Sequence, residues 1–147
     1  MIVKRITPDE AKPLRHRVLW RHIEKVEDCS IDTDYREDAI HFGTFDGDRI
    51  VAIGSFFAMR SPKLPHQKQY RLRAMATDPE YRGAGAGKLL VKSGIKTLRE
   101  LEVDALWCDA RIAATGFYAS LGFNRLQEIY EIPIIGPHQF MWIELKP

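Results

Sequence analysis

The stretch from Leu72 to Glu100, LRAMATDPEYRGAGAGKLLVKSGIKTLRE, constrains the fold more than any other part of the chain. Its first six residues alternate. Leu72, Ala74 and Ala76 fall on one side and Arg73, Met75 and Thr77 on the other, the period-two pattern of a strand. Asp78-Pro79 ends it, because proline offers a ladder no donor. Arg82-Gly83-Ala84-Gly85-Ala86-Gly87 comes next, and Lys88-Leu89-Leu90-Val91 then opens a helix predicted to reach about Glu100. Leu90, Val91, Gly94, Ile95 and Leu98 recur at the helical period and give that helix one inward stripe.

A strand, a glycine-rich turn and a helix start together make an anion site. The first turn of a helix carries backbone N–H groups without partners, and the helix dipole is positive there. Glycines let the backbone approach a phosphate with no Cβ in the way. Gly83, Ala84, Gly85, Ala86, Gly87 and Lys88, with Arg82 ahead of them, are therefore the predicted phosphate cradle. The plainer alternative is a tight connector, but three glycines at alternate positions exceed what a connector needs. Two familiar phosphate loops do not fit. The ATP-type loop, G-x-x-x-x-G-K-[ST], would need glycine at Arg82 and a hydroxyl at Leu89. The dinucleotide fingerprint would need glycine at Lys88.

The stretch is similar to the central motif of the GNAT superfamily of acyl-CoA-dependent N-acyltransferases. Arg82, Gly85 and Gly87 match [RQ]-x-x-G-x-[GA], after the lead-in Asp78-Pro79-Glu80-Tyr81-Arg82-Gly83. The resemblance continues through Gly116-Phe117-Tyr118-Ala119-Ser120-Leu121-Gly122-Phe123, so it covers about Arg71 to Phe123. It implies a single domain over residues 1–147. The implied architecture is α+β, a mixed, mostly antiparallel sheet of about six to seven strands flanked by about four helices. It also implies acetyl-CoA as co-substrate, no metal, and a primary amine of a small molecule or peptide as acceptor, attacked directly.

Composition bounds the rest. The chain has 147 residues, 45% hydrophobic and 29% charged, enough to bury a sizeable core. A formal charge of +2 gives no nucleic-acid or membrane signal, and no apolar run approaches a spanning helix. Cys29 and Cys108 are too few for a disulfide framework, which points to a reduced, cytoplasmic setting. Cys108, in a predicted core strand, reads as a buried small apolar residue rather than a nucleophile. A homodimer is left open.

Before the central stretch, Ile2 to Ile6 reads as a strand. Thr7-Pro8-Asp9-Glu10 is a capping box with proline at the first helical position. The helix turns Leu14, Val18, Leu19 and Ile23 inward, and Pro13 implies a kink or a later start. Arg15, His16, Arg17, Arg21 and His22 read as a solvated face, and the acidic run Glu24 to Asp38 as a solvated loop with a short helix. Asp46-Gly47-Asp48 between apolar runs predicts a hairpin, its second strand central because it is apolar on both faces. Arg60 to Arg71 reads as a basic loop long enough to be a mobile flap. After the central helix come a strand over Val103 to Ala110, a helix over Ala113 to Leu121 capped by Gly122, and strands over Arg125 to Ile132 and Gln139 to Leu145.

Acyl transfer from a thioester sets three tasks: polarising the carbonyl, deprotonating the amine and protonating the thiolate. By resemblance, the backbone N–H groups of Met75, Ala76 and Thr77 do the first, at a bulge. Tyr118 matches the family's thiolate-protonating tyrosine, and a phenol is protonated near neutrality. Asp109 and His138 are the candidate bases, with a water relay as alternative. The family often carries Asn seven residues before the tyrosine, contacting the pantetheine; Arg111 stands there instead. Two further functional readings follow: a catalytically weak CoA-binding or acyl-CoA-binding sensor, which Tyr118 argues against, and a nucleotide-binding module, which the two failed loop patterns argue against. The acidic run and the basic loop, with Arg71 and Arg73, imply an acceptor carrying both charges.

Overall fold

A computed structural model describes residues 1–146 of the chain. Its seven strands are β1 (Ile2–Arg5), β2 (Ile40–Asp46), β3 (Arg49–Ala58), β4 (Gln69–Thr77), β5 (Ala105–Arg111), β6 (Asn124–Ile132) and β7 (Gly136–Glu144). They form one sheet in the order β1-β2-β3-β4-β5-β7-β6. Every pairing is antiparallel except β4 with β5. Three α-helices accompany it: α1 (Pro8–Leu14), α2 (Ala86–Glu100) and α3 (Thr115–Ser120). No helix among the described residues is long and apolar enough to cross a membrane.

The expected α+β sheet is present, with three helices rather than about four. The acidic run yields only a 3-10 turn, Val26–Asp28, because it has no apolar stripe to support a longer helix. The capping box forms as read, with Thr7 accepting from the Glu10 amide and the Glu10 carboxylate accepting from the Thr7 amide. Pro13 lies inside α1, and the chain then widens into a π turn at Arg15–Leu19. A proline lacks the N–H that an unbroken helix would use, and a π turn is one way to absorb that loss. The hairpin turns on Gly47, whose φ is +60°.

Two hydrophobic layers sandwich the central strands. On one face α2 and α3 cover Phe56, Leu72, Leu106, Cys108 and Met141. On the other, α1 sets Ala11 and Leu14 against Ile53 and Ala76. Gly94 lets α2 come this close, since a Cβ there would strike the Phe56 ring.

The predicted flap is not loose. Gln69 and its neighbours belong to β4, which shortens the loop to residues 60–68. The buried Gln69 side chain accepts from the Ser61 amide and donates to the carbonyls of Leu64 and His66. Leu64 is buried with Trp107 and Phe140. The loop's charges drew the reading away from these two anchors.

Candidate active site

The seam between β4 and β5 is closed only at one end. Gln69, Tyr70 and Arg71 pair with Ala105, Leu106 and Trp107; beyond that point both strands continue without pairing. The gap is a cleft of about 210 Å³. Leu72 to Met75 line one wall and Cys108 to Arg111 the other, with Ala114 and Tyr118 on one side and Leu19 and Trp20 on the other. Ile132, Ile135 and His138 complete it.

A bulge shapes the β4 wall. Against β3 the register runs from Ser55↔Arg73 to Ile53↔Ala76, three steps in β4 for two in β3. Ala74 takes the extra step at φ +53°, a left-handed conformation uncommon outside glycine. The bulge flips the alternation read from sequence. Leu72 and Met75 share the α2 side, while Ala76 packs with α1. Leu72, Ala74 and Ala76 therefore do not form one face, since an inserted residue breaks a period of two. Beyond Arg71 the β5-facing edge of β4 has no strand partner. Met75, Ala76 and Thr77 lie along that edge.

A second cavity, about 310 Å³, lies at the start of α2, lined by Thr77, Tyr81, Arg82, Gly83, Gly85, Ala86, Gly87, Lys88 and Phe117. Gly83 and Gly85 have φ of +81° and +86°, so the turn itself requires residues that accept the left-handed region. α2 begins at Ala86 with Gly85 as its cap, two residues before the expected start. Ala84 is outside the cavity lining, and its amide already bonds the Tyr81 carbonyl at 3.2 Å. The loop is anchored at both ends. Thr44 donates its hydroxyl to the Ala86 carbonyl at 2.9 Å. Asp78 accepts from the Glu80 amide and from Arg17 and Arg49, which together hold its carboxyl below the usual carboxylate range.

Tyr118 is buried on α3, its ring packed against Phe117 and Phe123 at 5.1 and 5.3 Å between centroids. Burial raises its phenol well above the ordinary value, with Cys108 adding to the effect, so the hydroxyl keeps its proton. Burial also pushes the Cys108 thiol up, away from the thiolate form that a nucleophile needs. Gly122, at φ +95°, ends α3 as expected.

Asp109 projects into the cleft with both oxygens engaged. Arg71 donates to one at 2.7 Å, and the Tyr130 hydroxyl donates to the other. His138 is not in a turn but in β7, opposite Arg111 and Tyr130; β7 starts earlier than its glycine and prolines suggested. His138 Nδ1 is 2.7 Å from the Gly136 carbonyl, so that nitrogen carries the proton. Nε2 makes no hydrogen bond within the described residues, and in the neutral ring it is the acceptor nitrogen. Arg111 stands at the end of β5, on the lip of the cleft.

The solvated face of basic residues needs correction. Arg15 is fully buried. Its guanidinium donates to both oxygens of Asp34 at 2.8 and 2.9 Å, and to Ser55 and the Cys29 carbonyl. His41 bridges Ser55 and the Asp34 carbonyl. This buried network joins the π turn after α1, the acidic run, β2 and β3. Asp34 thus belongs to the interior, not to a solvated loop. Periodicity held the clue: Ala11, Leu14, Arg15 and Val18 share one helical stripe. Among the described residues no group of three His, Cys, Asp or Glu is placed to hold a metal.

Comparison with known proteins bears on the family and the fold. The family model for the acetyltransferase (GNAT) family matches residues 6–123. The uncharacterized N-acetyltransferase YitI of Bacillus subtilis (strain 168) is 38% identical over 144 residues, 98% of this chain and 96% of that one. Among solved structures, an aminoglycoside 6'-N-acetyltransferase complexed with coenzyme A superposes with a TM-score of 0.79 at 12% identity, covering 100% of this chain and 98% of the other. The ribosomal-protein-S18-alanine N-acetyltransferase of Escherichia coli gives 0.75 at 20% identity, covering 99% and 94%. At those identities the two structures speak for the fold alone.

Proposed function

The chain belongs to the acetyltransferase (GNAT) family, and from that premise we propose that it moves the acetyl group of acetyl-CoA onto a primary amine of a small molecule or peptide. The observation that carries this reading is the succession of two cavities along β4, the cleft ending at Met75 and Tyr118 and the loop cavity starting at Thr77 and Phe117. The glycine loop and the bulged β4 edge share Thr77 as their boundary, and Tyr118 lies in the cleft beyond.

In this reading the pyrophosphate of acetyl-CoA takes the amides from Gly83 to Lys88, with Ala84 excluded by its own hydrogen bond. The acyl arm runs along β4 past Arg111. The amine nitrogen attacks the thioester carbon, and the carbonyl electrons move to oxygen, facing backbone N–H groups among Met75, Ala76 and Thr77. The carbon–sulfur bond then breaks, and the departing thiolate takes the proton of the Tyr118 hydroxyl. The amine's proton goes to His138 Nε2, directly or through water. His138 suits the task better than Asp109, because its Nε2 is free while both Asp109 oxygens are occupied. Asp109 instead holds Arg71. Two free buried cysteines fit a reducing compartment, and we read the protein as cytoplasmic.

The direct test is free-thiol release from acetyl-CoA across an amine panel, paired with thermal stabilisation by acetyl-CoA, CoA and ATP with Mg²⁺. A ligand at a hundredfold its dissociation constant contributes about 2.7 kcal/mol. Stabilisation by both CoA forms with turnover of at least one amine is expected. Stabilisation without any turnover would instead favour the sensor, for which the arginine at position 111 is the motivating departure.

A further inference from the structure

Resting on that acetyltransferase reading, we infer that the acceptor amine carries an anionic group, a carboxylate or a phosphate, and that the Arg73 guanidinium grips it. Three guanidinium groups stand near one another on the α1 side of the cleft: Arg15, Arg71 and Arg73. Two have carboxylates of their own. Arg15 is matched by Asp34 at 2.8 Å and Arg71 by Asp109 at 2.7 Å. Arg73 has no such match. Its nearest acidic group is Asp32, at 3.9 Å, whose side chain is 89% exposed.

Arg73 is therefore the least firmly matched of the three guanidiniums, in a place poor in water. Arg73 has only 31% of its side chain exposed, and desolvation is the chief influence on its guanidinium, with the Arg71 charge next. A partly buried charge whose ion pair is long and exposed is poorly compensated, which leaves it open to an anion that arrives from outside. The Arg71 Nε is also buried without a hydrogen-bond partner. Arg111, across the cleft, has no acidic group within salt-bridge distance among the described residues. The fork of a guanidinium fits a carboxylate or a phosphate with two parallel hydrogen bonds.

Acetyl-CoA does not satisfy this charge in the proposed pose. Its pyrophosphate belongs at the glycine loop, and Arg73 lines the other cavity. The portion of the cofactor that would reach the cleft, pantetheine and thioester, is neutral. The anion must then belong to the acceptor. With the anion on Arg73, the acceptor's amine can lie between the β4 edge and His138, all on the same cleft.

The experiment uses matched acceptors and two variants. Free-thiol release is followed with amino acids against their carboxamides, and with an amino-sugar phosphate against the free amino sugar. One anion arm outperforming its neutral partner by about thirtyfold or more in kcat/KM is expected, from the usual strength of a charged hydrogen-bond pair. The arm that does so identifies carboxylate or phosphate. Arg73→Met should erase that preference mainly through KM, while Arg73→Lys restores part of it. Acetyl-CoA affinity should stay unchanged in both. Equal use of neutral and anionic partners by the natural protein overturns the inference, even though the acetyltransferase reading then stands. A separate binding arm covers the opposite case. N-acetylglycine and inorganic phosphate are titrated into the CoA-saturated protein and into its Arg73→Met variant. Weaker binding of one probe to the variant supports the inference without any turnover; equal binding of both overturns it.

Discussion

The two cavities, the glycine-loop end and the β4–β5 end, are built in different ways. The glycine loop is contiguous, residues 82 to 88, and its groups are mostly backbone amides. The cleft proposed for the acceptor is assembled from side chains that lie far apart in sequence: Arg71 and Arg73 on β4, Asp109 and Arg111 on β5, His138 on β7, and Trp20 after the π turn. A phosphate presents the same charge whatever carries it, so a short stretch of backbone can recognise it. An acceptor differs from one enzyme to the next, and side chains from several elements supply that variety. The fold also holds a buried polar network for which the loop end has no counterpart of similar depth.

The comparison breaks first at that network. Arg15→Met leaves the buried Asp34 carboxylate without its cation, only the Ile31 amide still donating to it, and Asp34→Ala leaves the buried Arg15 without its anion. Removing one member of a buried pair typically costs about 3–5 kcal/mol. Urea unfolding should show a loss of this size in either variant. A loss below about 1 kcal/mol, within the range of exposed pairs, would mean that the network adds little to the fold.

Tyr118→Phe probes the junction of the two ends. The ring stays and only the hydroxyl is lost, so packing against Phe117 and Phe123 survives. Turnover should fall by about a hundredfold, with little change in acetyl-CoA affinity. Normal turnover, with chemistry shown to be rate-limiting, would reduce Tyr118 to a packing residue.

The loop itself responds to backbone conformation. Gly85→Val places a branched side chain at φ +86°, where it has open space but a strained backbone. Such strain is about 1–2 kcal/mol, and the side chain also intrudes where the phosphate would lie. Acetyl-CoA should bind at least tenfold more weakly, on the order of that strain, while the unliganded domain still unfolds cooperatively. Unchanged affinity in a folded variant removes the phosphate assignment.

The same contrast explains what the sequence disclosed. The glycine spacing, the capping box and the Gly47 hairpin are local features, and each formed where its residues announced it. The bulge at Ala74 has no local signature, because alanine does not declare a left-handed conformation; resemblance supplied it, and the strand's faces were misassigned without it. Arg15 and Asp34 are nineteen positions apart. A charge in an apolar stripe was visible, but its partner in an acidic run was not distinguishable from its solvated neighbours. Gln69 misled in the opposite direction, since a polar residue ending a polar loop gives no sign that it will be buried and pin that loop.

The finest test of the contrast is a proton. His41 is buried, with Nδ1 against Ser55 at 2.7 Å and Nε2 against the Asp34 carbonyl at 2.9 Å. Desolvation is the largest influence on it and depresses its pKa below the ordinary 6.5, outweighing the opposing pull of Asp34. The unfolded chain then binds the proton more readily than the folded one. Stability contributed by this group is complete above pH 6.5 and is lost as the pH falls from there through the depressed folded value. Urea midpoints measured in steps from pH 8 downward should begin to drop near 6.5, before any carboxylate titrates. His41→Gln keeps a polar side chain without the titration, so its midpoint should be lower at pH 8 but flatter across that window. The other histidines remain in the variant, and they serve as the internal control. An identical slope in the two proteins would assign the acid sensitivity to them and leave the buried network indifferent to pH in this range.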